Sequence, residues 1–272
     1  MILKKKLNQD LKKYGIKAKK RLGQNFIFDF NILEKIVRSS LPIDKNTILE
    51  IGPGPGGLTK AILKHNPKEL ILVEIDKKFQ PLLKQISEEF NNKKIKIIYD
   101  DFLNINYQKL CSHKLKIFSN LPYYISTKIL LKILPLDKNI AEVLFTFQKE
   151  VGLRLLAKPN SKSYSRLSII TQYACNIKII QNLPANVFYP IPKVDSIVVK
   201  LTPKKNINKN IFNKLQVITQ LAFGKRRKVL KNSLAKISNI DYLLKKIGVS
   251  LNARAEDLSI DQYIMLSKTA EL

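Results

Sequence analysis

The chain predicts an α/β fold: a doubly wound, largely parallel sheet followed by a small, all-helical C-terminal domain. Three observations carry this. Apolar runs of strand length alternate with segments of helical period from about residue 46 onward. Those runs end in glycine or polar residues (Gly52, Glu74, Asp101, Asn120), at the strand ends where open α/β sheets bind ligands. Past Thr202-Pro203-Lys204-Lys205-Asn206 the strand pattern stops, and the apolar spacing becomes helical.

Composition narrows the class. The 272 residues are 45% hydrophobic and 26% charged, which excludes a disordered chain. Lys and Arg number 49 against 21 Asp and Glu, a formal net charge of +28. A surplus of that size attracts polyphosphate, so a nucleic acid is the expected partner and an anionic membrane the weaker alternative. No apolar stretch approaches the length of a transmembrane helix. Met1-Ile2-Leu3 runs into Lys4-Lys5-Lys6 without an apolar signal region, so a cytoplasmic location is expected. Cys111 and Cys175 are far apart, with neither a disulfide framework nor zinc spacing. His65 and His113 lack a second ligand type nearby, and no metal is expected.

In chain order, residues 1–21 read as a basic arm, partly disordered, ending in Lys19, Lys20 and Arg21. The main domain spans 22–203. It opens with Gly23-Gln24-Asn25-Phe26 and a helix through Ile32, Leu33, Ile36 and Val37, capped by Asp29 or Asn31. The run 46–51 is a first strand, feeding Gly52-Pro53-Gly54-Pro55-Gly56-Gly57 and a helix over 58–64. A strand over 70–75, a helix over 79–90 and a strand over 95–99 follow. The run 115–118 is the next strand, and Asn120-Leu121-Pro122-Tyr123 stands at its end. Further on, 141–147 reads as a buried strand and 149–158 as a helix. Segments 168–180 and 197–201 read as strands around the proline-rich loop Phe188-Tyr189-Pro190-Ile191-Pro192. The final domain, 204–272, is helical and basic, with Lys225, Arg226, Arg227 and Lys228 clustered in it.

Two clusters carry chemistry. Gly52-Pro53-Gly54-Pro55-Gly56-Gly57 satisfies G-x-G-x-x-G, with Glu74 at the end of the next strand. Glycines let backbone approach a ligand closely, and the carboxylate suits two ribose hydroxyls. S-adenosylmethionine (SAM) and NAD both fit that description, so the motif alone does not separate a methyltransferase from an NAD-dependent oxidoreductase. Asp101-Phe102 adds an acceptor for an adenine amine and a ring to lie against the base. Glu50, a charge in an apolar run, is placed to orient the glycine loop or to face the methionine ammonium. At the second cluster, Asn120, Pro122 and Tyr123 supply an acceptor, a fixed turn and a stacking face, a combination suited to a flat, amine-bearing base.

Glu50-Ile51-Gly52-Pro53-Gly54, Val73-Glu74-Ile75-Asp76 and Asn120-Leu121-Pro122-Tyr123 together resemble the SAM-dependent rRNA adenine N6,N6-dimethyltransferase family. The resemblance is closest to its small-subunit (KsgA) branch. It extends through Lys19–Phe26, Phe147–Val151, Tyr164–Ser168, Phe188–Ser196 and Phe223–Leu234. It implies a Rossmann-like SAM-dependent methyltransferase sheet with a helical RNA-binding domain. It also implies that Asn25, Ile27, Gly52, Glu74, Asp101 and Asn120 contact SAM or line its pocket, beside Gly54 and Phe102 from the reading of the residues above. Ile27 stands where the family usually has Leu, Ser165 where it often has Gly, and Tyr124 where it often has Asn.

The implied reaction is dimethylation of the N6 amines of two adjacent adenines in the 3′-terminal hairpin loop of 16S rRNA, during 30S subunit biogenesis. The Asn120 side-chain carbonyl and the Leu121 backbone carbonyl would accept the two amine hydrogens. Pro122 would fix the turn, Tyr123 would stack on the base, and Phe188 would close the other face. Lys19, Lys20, Arg21 and Lys225 to Lys228 are the expected RNA contacts, and a monomer is expected. Two rivals share the fold and motifs: a resistance-type methyltransferase of large-subunit rRNA, and an assembly factor for which methylation is secondary.

Overall fold

The structure is a computed structural model describing residues 13–16, 23–90, 94–110, 113–225 and 228–271. Its contacts divide the chain into two compact units. The first holds the described residues through Ile133, then Asp137–Gly152 and Lys178–Thr202; the second holds Leu134–Leu136, Leu153–Ile177 and the described residues from Pro203. Residues 153–177 therefore cluster with the C-terminal helices, and the units are not the contiguous stretches 22–203 and 204–272.

The first unit opens with β1 (Phe26–Ile27) and α1 (Phe30–Arg38). Asp29 is the cap of α1: its carboxylate accepts the Asn31 N–H, and Leu33, Ile36 and Val37 turn inward at helical spacing. β2 (Thr47–Ile51) is buried at every position, the mark of a central parallel strand covered on both faces. Then come α2 (Gly57–Leu63), β3 (Glu69–Val73), α3 (Gln80–Glu89) and β4 (Ile95–Ile98). They are followed by β5 (Leu115–Ser119), α4 (Tyr123–Ile133) and β6 (Ile140–Gln148), which leads into α5 (Lys149–Leu155).

Segment 168–180 departs from the strand expectation. It begins as α6 (Arg166–Ala174) and becomes β7 only at Cys175–Leu183. The β-branched run Ile169-Ile170-Thr171 favours a strand locally. A capping box between Ser165 and Ser168 starts the helix, however, and Leu167, Ile170, Thr171 and Ala174 are buried at helical spacing. β8 (Phe188–Tyr189) and β9 (Ser196–Pro203) complete the strands.

Among the described residues, seven strands form one sheet in the order β4-β3-β2-β5-β6-β9-β7, and β1 pairs with β8 in a separate two-stranded ribbon. The strands β2 to β6 run parallel, and β9 pairs antiparallel with β6. The chain order reverses on either side of β2, so the crevice at its C-terminal end is the position where this topology receives a ligand. At the other end of the strands a buried ionic group closes the sheet. Glu142 lies 3.0 Å from Lys116 Nζ and 3.1 Å from Lys200 Nζ. It also takes the Ser40 hydroxyl, and Lys116 donates to Pro42 O at 2.9 Å.

The second unit adds α7 (Lys209–Gly224), α8 (Leu230–Ser233), α9 (Ile240–Lys246) and α10 (Ile260–Thr269). Its core is aromatic: Phe223 lies 6.2 Å from the Tyr164 ring and 6.3 Å from the Tyr263 ring. Tyr263 is fully buried and donates its hydroxyl to Ala255 O at 2.7 Å. No helix among the described residues is long and apolar enough to cross a membrane.

Candidate active site

The C-terminal ends of β2, β3 and β5 open onto a cavity of about 490 Å³, within the usual size of a small-ligand site. The glycine turn forms its floor. Gly52 has φ +69°, and a Cβ there would stand 2.7 Å from Leu121 Cδ2. Gly54 has φ +54°, and a Cβ there would meet the Phe26 ring at 2.9 Å. Both positions favour glycine for the left-handed backbone, and a Cβ at either would force the facing side chain to shift.

Glu74 follows β3 and is 4% exposed. Its Oε2 accepts the Gly54 N–H at 2.9 Å and its Oε1 the Asp76 N–H at 2.8 Å. Burial raises its pKa above the usual carboxylate value, while those two N–H groups pull it down. The Ile75 N–H adds a third, weaker pull in the same direction, and the remaining acceptor capacity of the carboxylate faces the cavity. Asp101 accepts the Leu103 N–H at Oδ1, 2.9 Å, which leaves Oδ2 to face a ligand. Phe102 touches the cavity but is only 3% exposed, and its ring stacks on Tyr107 at 5.9 Å. The exposed apolar surface beside Glu74 belongs instead to Ile75, 65% exposed on the cavity wall.

Glu50 does not line the cavity. Its buried carboxylate accepts the Thr59 hydroxyl at 2.7 Å and so ties β2 to α2 beneath the glycine turn. Burial, with the neighbouring charge of Glu74, pushes its carboxyl up to about 8, against the lowering effect of the Thr59 hydrogen bond.

The Asn-Leu-Pro-Tyr turn forms the opposite wall. Ser119 donates to Ile51 O at 2.8 Å, which locks the end of β5 to the end of β2. Asn120 Nδ2 donates to Asn25 O at 3.2 Å, and that bond turns the amide so that Oδ1 is the free acceptor. Pro122 O accepts the N–H groups of Ile125 and Ser126 and starts α4. The segment 23–26 closes the rim: Asn25 Nδ2 donates to Gly23 O at 2.9 Å, and Gln24 Nε2 donates to Asp76 at 3.2 Å.

Asn25, Gly52, Gly54, Glu74, Asp101 and Phe102 thus converge on one cavity with Asn120, Leu121 and Pro122. Three expected residues are not on its wall. Ile27 and Phe188 pair across the β1–β8 ribbon and are 4% and 3% exposed, buried in the hydrophobic core. Tyr123, first residue of α4, directs its hydroxyl to Ser196 Oγ at 2.7 Å, and burial pushes the phenol pKa up. Lys225 and Lys228 are exposed; Lys19, Lys20, Arg21, Arg226 and Arg227 lie outside the described residues. Gln24, Ile75, Asp76, Tyr124 and Lys128 also line the cavity, and no sequence motif gives them a role there. Ile75 and Asp76 were the readable ones, since they follow Glu74 directly at a strand end.

Comparison with known proteins gives the same picture. A family model described as ribosomal RNA adenine dimethylase matches residues 15–271. A ribosomal RNA small subunit methyltransferase A from Buchnera aphidicola subsp. Schizaphis graminum is 46% identical, over 91% of this chain and 90% of the relative. One from Pelagibacter ubique is 42% identical, over 94% of this chain and 98% of the relative. In fold, the chain is similar to a dimethyladenosine transferase from Plasmodium falciparum, with TM-score 0.72 and 24% identity over 87% of this chain and 94% of that one. It is also similar to the 23S rRNA methyltransferase ErmE, with TM-score 0.67 and 20% identity over 89% of this chain and 98% of that one. With a family match spanning nearly the whole sequence and close relatives at this level of identity, the chain belongs to the ribosomal RNA adenine dimethylase family.

Proposed function

We propose that the chain uses SAM to dimethylate the N6 amines of two adjacent adenines in the 3′-terminal hairpin loop of small-subunit rRNA, acting on the immature 30S subunit. The observation that carries this reading is the Asn120 amide. It is held by Asn25 O with its oxygen free, on the same cavity as Glu74 and the glycine turn. The cofactor fits what lines that cavity. The buried Glu74 carboxylate suits ribose hydroxyls, the Asp101 carboxylate and exposed Ile75 suit an adenine, and the glycine turn offers backbone where a side chain would clash. When bound, the cofactor supplies an activated methyl on a sulfonium.

The protein's share is positioning and polarisation. An exocyclic adenine amine is a weak nucleophile because its lone pair is delocalised into the ring. Asn120 Oδ1 and the Leu121 carbonyl accept its two hydrogens and favour a pyramidal nitrogen, and Pro122 holds the two acceptors in one turn. Fixed acceptors cost no reorganisation during reaction, so orientation provides most of the catalysis. The amine's proton leaves to water.

Relatives named for the small subunit, at 42 to 46% identity, favour that rRNA over the large-subunit alternative. The +28 charge supports RNA binding through phosphates, with Lys225 and Lys228 of the helical unit as contacts. We further infer a cytoplasmic protein, where small-subunit rRNA is assembled, that acts as a monomer, because the cofactor and base contacts this reading needs are all supplied by residues of this chain. The test is labelled-SAM transfer to undermethylated 30S subunits, with reverse-transcription stops to map the product. Stops at the two adjacent adenines are expected. Asn120→Ala should abolish transfer while SAM and RNA binding persist. Stops in large-subunit rRNA, or near-normal transfer by Asn120→Ala, overturn the reading.

A further inference from the structure

α4 leaves the Asn-Leu-Pro-Tyr turn and carries two side chains onto the cavity wall that the mechanism above does not use. Tyr124 is 59% exposed, whereas Phe79 and Phe102 on the same wall are 1% and 3% exposed. Its ring lies near the backbone of Gly23, 3.8 Å from where a Cβ on that residue would stand. It has no hydrogen bond and no aromatic partner among the described residues. A large ring bare at the mouth of a site is an open stacking face rather than a core residue.

Lys128 stands four residues further along α4, one turn away and on the same helix face. It also lines the cavity and is exposed, with no ion pair or hydrogen bond among the described residues. The rise between the two positions is about 6 Å. An aromatic face and an ammonium on one helix face, one turn apart, offer partners for the two recognisable parts of a nucleotide, its base and its phosphate.

We propose that Tyr124 and Lys128 form a subsite for the nucleotide flanking the target adenine, with the base stacked on Tyr124 and the phosphate held by Lys128. The proposal rests on the rRNA reaction proposed above and extends it from the reacting base to its neighbour. Stacking accepts any base, so the subsite requires an unstacked neighbour without reading its identity. Tyr124 occupies a position where the family often has Asn, which makes this contact a feature of this chain and not a requirement of the chemistry.

The test uses the full-length protein and undermethylated 30S subunits. Tyr124→Ala should raise KM for the subunit roughly 5- to 150-fold, the usual range for losing one stacked base. Its SAM affinity by calorimetry and its melting temperature should stay at wild-type values. Tyr124→Phe should restore KM, and Tyr124→Leu should not. Lys128→Gln should lower the slope of log affinity against log salt by about 0.7, the value for one phosphate on a single strand. An unchanged KM in Tyr124→Ala, rescue by Leu as well as by Phe, or a parallel loss of SAM affinity overturns the stacking contact. An unchanged salt slope removes Lys128 from the subsite. If the wild-type protein does not methylate small-subunit rRNA, the parent reading fails and this one with it. If it does and the variants match it, only the subsite is refuted.

Discussion

Glu50→Gln should flatten the pH dependence of stability without disturbing the site. Glu50 is 1% exposed in β2, and its one hydrogen bond, from Thr59 at 2.7 Å, can be kept by an amide oxygen. Burial pushes its carboxyl from 4.5 up to about 8. Below the lower value both folded and unfolded chains hold the proton, and the folded state is at no disadvantage. Between the two values the unfolded chain releases the proton and the folded chain keeps it, so stability falls as pH rises. Above the higher value the loss is complete. At about 1.4 kcal/mol per pH unit, wild type should lose about 3 kcal/mol relative to Glu50→Gln between about pH 5.5 and about pH 8.5. Urea unfolding of both proteins at each pH measures this directly, because the titration of Glu74 is common to both. Parallel losses in the two proteins would refute it and would mean that Glu50 is ionised in the folded state.

Three further outcomes follow from the same geometry. Gly52→Ala puts a Cβ 2.7 Å from Leu121 Cδ2 on a backbone at φ +69°, so it should weaken SAM binding and displace the Asn-Leu-Pro-Tyr turn together, seen as a drop in both calorimetric affinity and kcat. Glu74→Gln exchanges a charge-assisted acceptor for a neutral one and should cost about 1.5 to 3 kcal/mol of SAM affinity by calorimetry. Glu142→Ala strands Lys116 and Lys200 in a buried site and should destabilise the fold by about 3 to 5 kcal/mol in urea unfolding, with the SAM affinity of the folded protein unchanged.

The strands around the site were readable because each is a short apolar run that ends in its functional residue: Ile51 before Gly52, Val73 before Glu74, Ser119 before Asn120. A parallel sheet gathers those ends without further information, so three distant motifs predict one cavity. Segment 168–180 was misread because Ile169-Ile170-Thr171 has strand propensity, and the deciding capping box needs Ser165 and Ser168 in helical geometry before it can form. The family resemblance places Phe188 on the base-binding face. Its burial depends on pairing with Ile27, a contact 161 positions away that no local pattern encodes. Tyr124 stands out in the sequence only as a departure from the family, because nothing in the sequence distinguishes a bare ring from a packed one.

The Asn-Leu end of the Asn-Leu-Pro-Tyr turn takes its geometry from the cofactor side. Its strand end is held by Ser119 on Ile51, its amide by the Asn25 carbonyl, and its Leu121 side chain fits only because residue 52 lacks a Cβ. These partners are the end of β2, the glycine turn that follows it and the rim that folds over it. The acceptor that polarises the amine is therefore aimed by the same backbone that receives the cofactor. Side-chain changes at Asn25 should be milder than any shift of its backbone, because the bond to Asn120 is made by the carbonyl and every residue type carries one. The Gly23-Gln24-Asn25-Phe26 segment is thus the link between binding and chemistry: Gln24 fastens it to Asp76 beside Glu74, and one residue later its backbone sets the orientation of Asn120.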